Sequence, residues 1–152
     1  MGMPFAAYVF LKETGLLQNI ATEKKCLMIG RAKMTLTSDQ ANFASQKYGD
    51  HTDLLAGWAD EFISKNGYRV DTLDYSDFEG AQLTHNMNIP LDGDLYKHNY
   101  ELILDYGTSE HIFNPAISIS NSLTMLRVGG YLNLMLPVCG WVDHGFYQFS
   151  PT

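Results

Sequence analysis

Short apolar runs alternate with helical patterns along this chain, and this alternation constrains its fold more than any other feature. Short apolar strands joined by helices or long crossovers are typical of a parallel sheet that is buried on both faces. We therefore predict a single α/β domain over residues 1–152, with a doubly wound, mostly parallel sheet of about five strands and helices on both faces. The predicted strands are 24–30, 68–73, 82–87, 100–105 and 131–136, of which 82–87 has the weakest pattern.

The first two helices are marked by local signals at their starts. A proline at an early helical position predicts a helix over about 4–13, within a helical lead-in over residues 1–20. Thr37 followed by Gln40 fits a capping box, in which each side chain accepts a hydrogen bond from the other residue's backbone N–H. We expect a second helix to run from this box toward Tyr48.

Two later helices are predicted from caps and from apolar residues at helical spacing. Asp50 or Thr52 is expected to cap a helix that ends at Gly67. Asn114, with a proline directly after it, is expected to cap a helix that ends near 129–130. The buried faces are predicted to contain Leu54, Leu55, Trp58, Phe62 and Ile63 in the first helix, and Ile119, Leu123 and Leu126 in the second.

The charge and the absence of long apolar runs exclude several classes of partner. The chain has a net charge of −7, and binding to nucleic acid requires a positive field, so we predict no nucleic-acid partner. No apolar run approaches the roughly 18–20 residues that span a bilayer, and the N-terminal residues lack the pattern of a signal peptide. We therefore predict a cytoplasmic protein without a membrane partner, in which Cys26 and Cys139 are buried free thiols.

Polar residues at the predicted strand ends are the first candidates for a binding site. In open α/β sheets, ligands bind beyond the carboxyl ends of the strands, near the point where the strand order reverses. Asp74 follows the second strand, where a carboxylate can accept hydrogen bonds from the ribose hydroxyls of a nucleoside. Asp71 and Asp77 are alternatives, and a solvated loop acid remains the simpler interpretation of each. The strand-end positions of interest are Gly30, Asp74, Asn86, Asp105 and the stretch after Pro137.

The second half of the chain carries three motifs that resemble one protein family. Residues 105–111 read Asp-Tyr-Gly-Thr-Ser-Glu-His, which resembles the fourth-strand motif D-x-G-T-x-E-H of class I S-adenosylmethionine-dependent methyltransferases. Residues 125–132 resemble the turn L-x-P-G-G-x-L into strand five, with Val128 in place of proline. Residues 140–151 resemble a segment that follows strand five in a methyltransferase-like subgroup. The resemblance covers about 68–151 and implies a Rossmann-like fold.

The resemblance implies S-adenosylmethionine as the cofactor and assigns a role to each strand-end residue. Gly30 would let the backbone approach the methionine part, and Asp105 with Gly107 would line the same part. Asp74 would hold the ribose, and Asn86 would lie near the adenine. The residues expected on the substrate side, and hence the candidate catalytic residues, are Glu110, His111 and His144. His111 could act as a general base, although a structural histidine is an equally good interpretation.

Two departures from the family pattern leave a second interpretation open. The family's Gly-x-Gly-x-Gly turn after strand one is replaced by Gly30-Arg31-Ala32-Lys33-Met34, so either the loop takes another course or cofactor binding has been lost. Arg31 and Lys33 would then add positive charge near a carboxylate or remain solvated. The complete family fold has seven strands, so the resemblance implies a C-terminally truncated domain with an exposed sheet edge, where a homo-oligomer could form.

The sequence therefore predicts methyl transfer to a small-molecule or sugar-type acceptor, with a catalytically inactive binding or assembly module as the alternative. We predict no metal site, because none of the five histidines pairs at i, i+4 or joins a Cys-x-x-Cys motif. The sequence also lacks the Gly-x-Ser-x-Gly elbow of the serine hydrolases and the Gly-rich phosphate loop of nucleotide hydrolases.

Overall fold

The computed structural model describes residues 2–17, 24–50, 54–94 and 96–150. Five parallel strands form the main sheet, with the order β5-β4-β2-β6-β7. The predicted Rossmann-like α/β fold is therefore confirmed. In chain order, the strands are β1 (Gly2–Met3), β2 (Lys24–Ile29), β3 (Lys33–Met34), β4 (Tyr68–Asp74), β5 (Leu83–Thr84), β6 (Tyr100–Tyr106) and β7 (Leu126–Met135). The helices are α1 (Phe5–Glu13), α2 (Ser38–Tyr48), α3 (Ala59–Lys65) and α4 (Pro115–Met125).

The strand order reverses between β2 and β6, at the centre of the sheet. The chain first builds outward from β2 through β4 to β5, and then crosses to the opposite side for β6 and β7. Ile29, the last residue of β2, is paired with Leu73 of β4 on one side and with Asp105 of β6 on the other. The carboxyl ends of the three central strands therefore meet at one edge, which is where a ligand is expected in such a sheet.

Each face of the sheet packs against its own group of helices. Side chains of a strand point alternately to the two faces, so Cys26 and Met28 belong to one core and Leu27 and Ile29 to the other. The first core receives α1, α2 and α3, and the second receives α4. The buried helical residues are Ala7, Tyr8, Leu11, Ala44 of α2, Ala59, Phe62 and Ile63 in the first core and Met125 in the second.

The start of the chain agrees with the predicted helix and adds a strand that was not predicted. Helix α1 follows Pro4, which has extended backbone angles and occupies the N-cap position. Before it, β1 pairs in parallel with β3 to form a separate two-stranded sheet. Helix α2 begins at the predicted capping box, because the Gln40 backbone N–H donates to Thr37 Oγ1 and the Thr37 N–H donates to Gln40 Oε1. The final residues of the predicted lead-in, 18–20, lie outside the described residues.

The prediction of a capped helix beginning near residue 50 was wrong. Helix α3 begins only at Ala59, with Trp58 at the N-cap position. Asp50 instead accepts a hydrogen bond from the Tyr8 hydroxyl at 2.6 Å and one from Lys12 Nζ at 3.0 Å, so its carboxylate anchors α1 rather than capping α3. Thr52, the alternative cap, lies outside the described residues.

The cap of α4 was predicted correctly, whereas its end and its buried face were not. Asn114 Oδ1 accepts from the Ile117 N–H at 3.3 Å, and proline follows at the first helical position. The helix ends at Met125, and the segment containing the Gly-Gly pair belongs to an irregular stretch of β7, where the pairing with β6 shifts register. Leu123 is exposed, and the buried residues of α4 are Ser118, Asn121, Ser122 and Met125.

Polar residues can occupy the buried face of α4 because each finds a partner there. Asn121 donates to the Ile89 carbonyl at 2.9 Å and accepts from the Leu91 N–H at 3.0 Å. The Ser122 hydroxyl lies 2.9 Å from the Ser118 carbonyl. The helix therefore packs on the 86–91 loop through hydrogen bonds, which the spacing of apolar residues alone does not reveal.

Smaller differences concern the third predicted strand and the cysteines. Strand β5 contains only Leu83–Thr84 of the predicted 82–87. Cys26 is buried as expected, and burial raises the pKa of its thiol, whereas Cys139 is exposed. Cys139 follows Pro137 in a segment without regular structure, which explains why its apolar neighbours do not bury it.

Among the described residues, no helix combines the length and the apolar character needed to cross a membrane.

Candidate functional site

Two neighbouring clefts open at the carboxyl edge of the sheet. The smaller, called here the strand-end cleft, has a volume of about 270 Å³ and lies beside the ends of β2 and β4. The larger, called here the outer cleft, has a volume of about 550 Å³ and lies beyond the end of β6. His111 lines both of them, so the two clefts adjoin at its side chain. The strand-end cleft is lined by Ile29, Leu73, Asp74, Tyr75, His85, Asn86, Met87, Asn88, Thr108, His111 and Ile112.

Asp74 is the predicted acid that lines the strand-end cleft. It ends β4, and its Oδ1 accepts a hydrogen bond from the Tyr75 N–H at 2.6 Å. Of the two alternatives, Asp71 accepts from the Tyr100 hydroxyl at 2.9 Å, and Asp77 is exposed on the following loop. Neither alternative lines the cleft. The structure therefore singles out Asp74 among the three acids.

Asn86 also lines the strand-end cleft, and hydrogen bonds to its neighbours fix its side chain. Its Oδ1 accepts from both the backbone N–H and the side-chain amide of Asn88, each at 3.0 Å. Asn88 Oδ1 in turn accepts from the Asn114 N–H at 2.9 Å, which ties this loop to the start of α4. With its oxygen engaged in this way, Asn86 would meet a ligand through its NH₂ group.

Asp105 does not line either cleft and instead orders the turn that follows β6. Its side chain is buried, and its oxygens accept from the Thr108 N–H at 2.8 Å and from the Ser109 hydroxyl at 2.5 Å. Burial raises the pKa of its carboxyl group, against the lowering effect of these hydrogen bonds. Gly107 has a φ of 97°, which favours glycine, and it lines the outer cleft. Thr108 donates from its hydroxyl to the Ile29 carbonyl at 2.8 Å and so joins β6 to β2.

Gly30 is followed by a loop whose conformation is fixed by contacts of the Arg31 side chain. Gly30 has a φ of 71°, and its N–H donates to the Leu73 carbonyl at 2.7 Å, so it turns the chain without lining either cleft. The Arg31 guanidinium donates to both carboxylate oxygens of Asp60 and stacks on the Trp58 ring, 4.2 Å from its centroid. It also donates to the Glu79 carbonyl at 2.9 Å. Of the two predicted basic residues, Arg31 is therefore engaged and Lys33 is exposed.

Glu110, His111 and His144 meet at the outer cleft. The Nε2 atoms of His144 and His111 lie 3.4 Å and 3.9 Å from Glu110 Oε1. The two imidazole rings are in edge contact, with centroids 5.1 Å apart. Glu110 is 1% exposed, whereas both histidines are exposed over nearly half of their side chains. The structure thus brings all three predicted substrate-side residues into one cluster.

The segment after Pro137 folds back and carries His144 to this cluster. The Phe146 N–H donates to the Glu110 carbonyl at 2.6 Å, and Trp141 is in ring contact with His144. The remaining walls of the outer cleft come from the first residues of the chain, from Thr35 and from the carboxyl ends of β6 and β7. The residues that line it are Gly2, Pro4, Thr35, Tyr106, Gly107, Glu110, His111, Met135, Leu136, Pro137, Val138, Trp141 and His144.

Sequence analysis missed two side chains that belong to these walls. Tyr106 lines the outer cleft, and its buried hydroxyl has no hydrogen-bond partner among the described residues. Burial also raises the pKa of this hydroxyl. Its position next to Asp105 was a usable signal, because adjacent strand residues point to opposite faces. Trp141 lies within the motif that resembles the methyltransferase-like subgroup, but nothing in the pattern predicted that it lines the outer cleft.

Comparison with models of known protein families gives no match to this chain, and comparison with curated proteins gives none either. The functional interpretation therefore rests on the motifs and on the geometry of the two clefts.

Proposed function

We propose that this chain binds S-adenosylmethionine and transfers its methyl group to a small-molecule or sugar-type acceptor. The observation that carries the proposal is the pair Asp74 and Asn86, which face one cleft at the carboxyl edge of the sheet, beside the reversal of strand order. A carboxylate and an amide at this place match the hydrogen-bonding groups of a nucleoside. The methyltransferase resemblance assigns the same two residues to the ribose and the adenine.

The strand-end cleft offers both kinds of contact that a nucleoside needs. Asp74 accepts hydrogen bonds from the ribose hydroxyls, and the Asn86 NH₂ group donates to a ring nitrogen of the adenine. Ile29, Leu73 and Met87 give this cleft apolar walls, which suit the faces of a base. Ligand sites of this kind are largely apolar with a few fixed polar groups.

Methyl transfer requires the sulfonium and the acceptor to meet in line. The adjoining clefts are consistent with such a meeting, because His111 borders both of them. When bound, S-adenosylmethionine would supply the methyl group from its sulfonium to the acceptor, and S-adenosylhomocysteine would be the leaving thioether. The proton that the acceptor loses passes to an imidazole of His111 or His144. The protein contributes mainly proximity and orientation.

The charge of the chain favours an acceptor that is not a polyanion. With a net charge of −7, the protein repels nucleic acid at long range. The outer cleft also has mostly apolar walls, including Met135, Leu136 and Val138, which suit a small organic molecule.

The two cysteines are unpaired, as expected in a reducing compartment, and we place the protein in the cytoplasm.

A second function, as an inactive binding or assembly module, is favoured by the loop after β2. The ion pair between Arg31 and Asp60 fixes this loop where the family's glycines would let the cofactor approach. Strand β7 lies at the edge of the five-stranded sheet and exposes Val128 and Tyr131. An exposed edge strand can pair with a second copy of the chain. In this case, sedimentation velocity detects a dimer, and the protein binds no S-adenosylhomocysteine.

Mapping the cofactor by NMR tests the main proposal. We expect S-adenosylhomocysteine to shift the Tyr75 backbone amide and the Asn86 side-chain NH₂ signals, because both groups border the strand-end cleft. The Gly49 amide, at the C-terminal end of α2, serves as an internal control. Shifts that are confined to residues outside the strand-end cleft would contradict the proposal.

A further inference from the structure

We infer that Glu110, His111 and His144 form a binding site for a divalent cation, with Zn²⁺ as the ion that best matches the ligand set. Each residue offers one ligand atom, and these atoms all lie within 4.8 Å of one another. Two imidazole nitrogens and one carboxylate oxygen are a ligand set that suits Zn²⁺. The inference rests on these three side chains and does not require nucleoside binding. A bound cation would occupy the two imidazoles that serve as proton acceptors in the proposed methyl transfer.

The distances are close to those of a tetrahedral site. Zinc–nitrogen and zinc–oxygen bonds of about 2.0–2.2 Å place two ligand atoms of a tetrahedral site about 3.3–3.6 Å apart. His144 Nε2 and Glu110 Oε1 are already 3.4 Å apart, and His111 Nε2 lies 3.9 Å from the same oxygen. To complete the arrangement, the His111 side chain must rotate so that its ligand nitrogen approaches both Glu110 Oε1 and the ligand nitrogen of His144, which lie within 4.8 Å of it. Its half-exposed side chain leaves room for that rotation.

The buried carboxylate is the second observation that points to a cation. Glu110 is 1% exposed, and its Oε2 has no hydrogen-bond partner among the described residues. A buried carboxylate is costly unless a positive charge or hydrogen bonds compensate it. In the part of the chain that the structure describes, the two histidines are the basic side chains within ion-pair distance of Glu110. A divalent cation held by both imidazoles compensates the carboxylate without placing two protonated rings in contact.

The backbone fixes His144 at this position. Gly145 has a φ of 74°, and a side chain there would lie 2.7 Å from the Glu110 carbonyl oxygen. Glycine thus allows the 140–146 segment to approach the turn after β6 and to form the hydrogen bond from the Phe146 N–H. The third ligand is therefore held by the fold, although the segment that carries it is exposed.

Three protein ligands leave a fourth coordination position for water or another ligand. Sites with three protein ligands and one open position are typical of catalytic zinc, whereas structural zinc has four protein ligands. All three residues line the outer cleft, so the open position faces that space. When the cation is bound, the imidazoles hold metal instead of accepting a proton, and the outer cleft becomes a site for an oxygen or nitrogen ligand.

Competition with a chromophoric chelator measures Zn²⁺ binding to the full chain, and the visible absorption of Co²⁺ reports its coordination. We expect one equivalent of Zn²⁺ and a tetrahedral Co²⁺ spectrum. Glu110→Gln and His144→Ala should each reduce the affinity for Zn²⁺ at least about tenfold. Loss of a residue that only hydrogen-bonds to a metal ligand already lowers metal affinity by about 10–100-fold, and these variants remove a ligand itself. His98→Asn should leave the affinity unchanged, because His98 lies outside both clefts, and asparagine tolerates its φ of 53°.

Two results would overturn the inference: no Zn²⁺ binding by the folded chain, or binding that neither Glu110→Gln nor His144→Ala weakens. His144 is exposed, so its variant tests the site even where a change at buried Glu110 prevents folding. Titration of the same samples with S-adenosylhomocysteine is a separate readout. Zinc binding without binding of S-adenosylhomocysteine would contradict the proposed function but would support the proposed metal site.

Discussion

Arg31 and Asp60 form a two-pronged ion pair, in which Nε lies 3.2 Å from Oδ1 and Nη2 lies 3.1 Å from Oδ2. Asp60 is 8% exposed, and the guanidinium also stacks on Trp58. Side-chain contacts therefore fix the loop after β2. In class I methyltransferases, the glycines of the corresponding loop leave its backbone accessible to the cofactor. The loop's stability therefore depends on one arginine.

We expect Arg31→Ala to lower the free energy of unfolding by about 1–3 kcal/mol, because Asp60 stays buried without its donors. Arg31→Lys should recover only part of this loss, since an ammonium group cannot form the planar two-pronged contact. Urea denaturation measures both. Lys47→Ala, which removes an exposed ion pair with Glu13, is the control and should cause no measurable change. Equal stability of Arg31→Ala and the native chain would show that the pair does not hold the loop.

Gly145 should be more sensitive to substitution than its backbone angle alone predicts. A methyl group there meets the Glu110 carbonyl oxygen at 2.7 Å and the Glu110 Cγ at 2.9 Å. We expect Gly145→Ala to speed hydrogen exchange of the Phe146 amide, whose bond to that carbonyl must lengthen. Gly49→Ala is the matched control, because Gly49 has a similar φ of 70° with nothing within 4 Å. Unchanged exchange in Gly145→Ala would mean that the close approach is not needed.

Glu101 should contribute stability that is lost in acid. Burial opposes ionisation, but hydrogen bonds from the Lys25 N–H at 2.7 Å and Arg127 Nη1 at 2.5 Å prevail and lower the pKa of its carboxyl group. A lowered pKa means that the contribution is present above the ordinary pKa and disappears as the pH falls through the folded-state value. We expect Glu101→Gln to be less stable than the native chain by about 1–2 kcal/mol at neutral pH.

Urea denaturation at several pH values tests the Glu101 prediction. The difference between the two proteins should shrink as the pH falls below the ordinary range of a glutamate carboxyl. Asp94→Asn, at an exposed ion pair with Lys97, is the control and should show no such trend. A constant difference across the pH range would contradict the assignment.

Asp105 should have the opposite pH dependence. Burial raises the pKa of its carboxyl group, so its contribution is greatest at low pH and declines as the pH rises through the folded-state value. Asp105→Asn, which carries no charge, should therefore gain stability relative to the native chain between acid and neutral pH. Asp105 does not line the strand-end cleft, so this variant should also keep its affinity for S-adenosylhomocysteine. If calorimetry showed that Asp105→Asn loses most of its affinity for S-adenosylhomocysteine, Asp105 would have the role in cofactor binding that the methyltransferase resemblance implies.

The central strands could be predicted from the sequence because they are continuous apolar runs with polar ends. Strand β4 has the predicted start and the predicted acid at its end, and β2 and β6 differ from prediction by one residue at their ends. The capping box at Thr37 was equally readable, since its two hydrogen bonds depend on residues three apart. These features are local, and tertiary contacts did not override them.

The remaining differences arise where distant contacts decide the structure. Asp50 looked like a helix cap but binds Tyr8 and Lys12 of α1. The buried face of α4 is formed by two serines, an asparagine and Met125, whereas the spacing predicted Ile119, Leu123 and Leu126. The cluster of Glu110, His111 and His144 depends on the return of the C-terminal segment, so no spacing rule for metal ligands could have found it.

Calorimetric titration with S-adenosylhomocysteine tests the central claim most directly. We predict that the native chain binds it and that Asp74→Ala weakens binding at least tenfold, equivalent to about 1.4 kcal/mol. Asp77→Ala, at an exposed acid on the same loop, should bind like the native chain. A folded native chain that does not bind, or an Asp74→Ala variant that binds equally well, would contradict the assignment of the strand-end cleft to the cofactor.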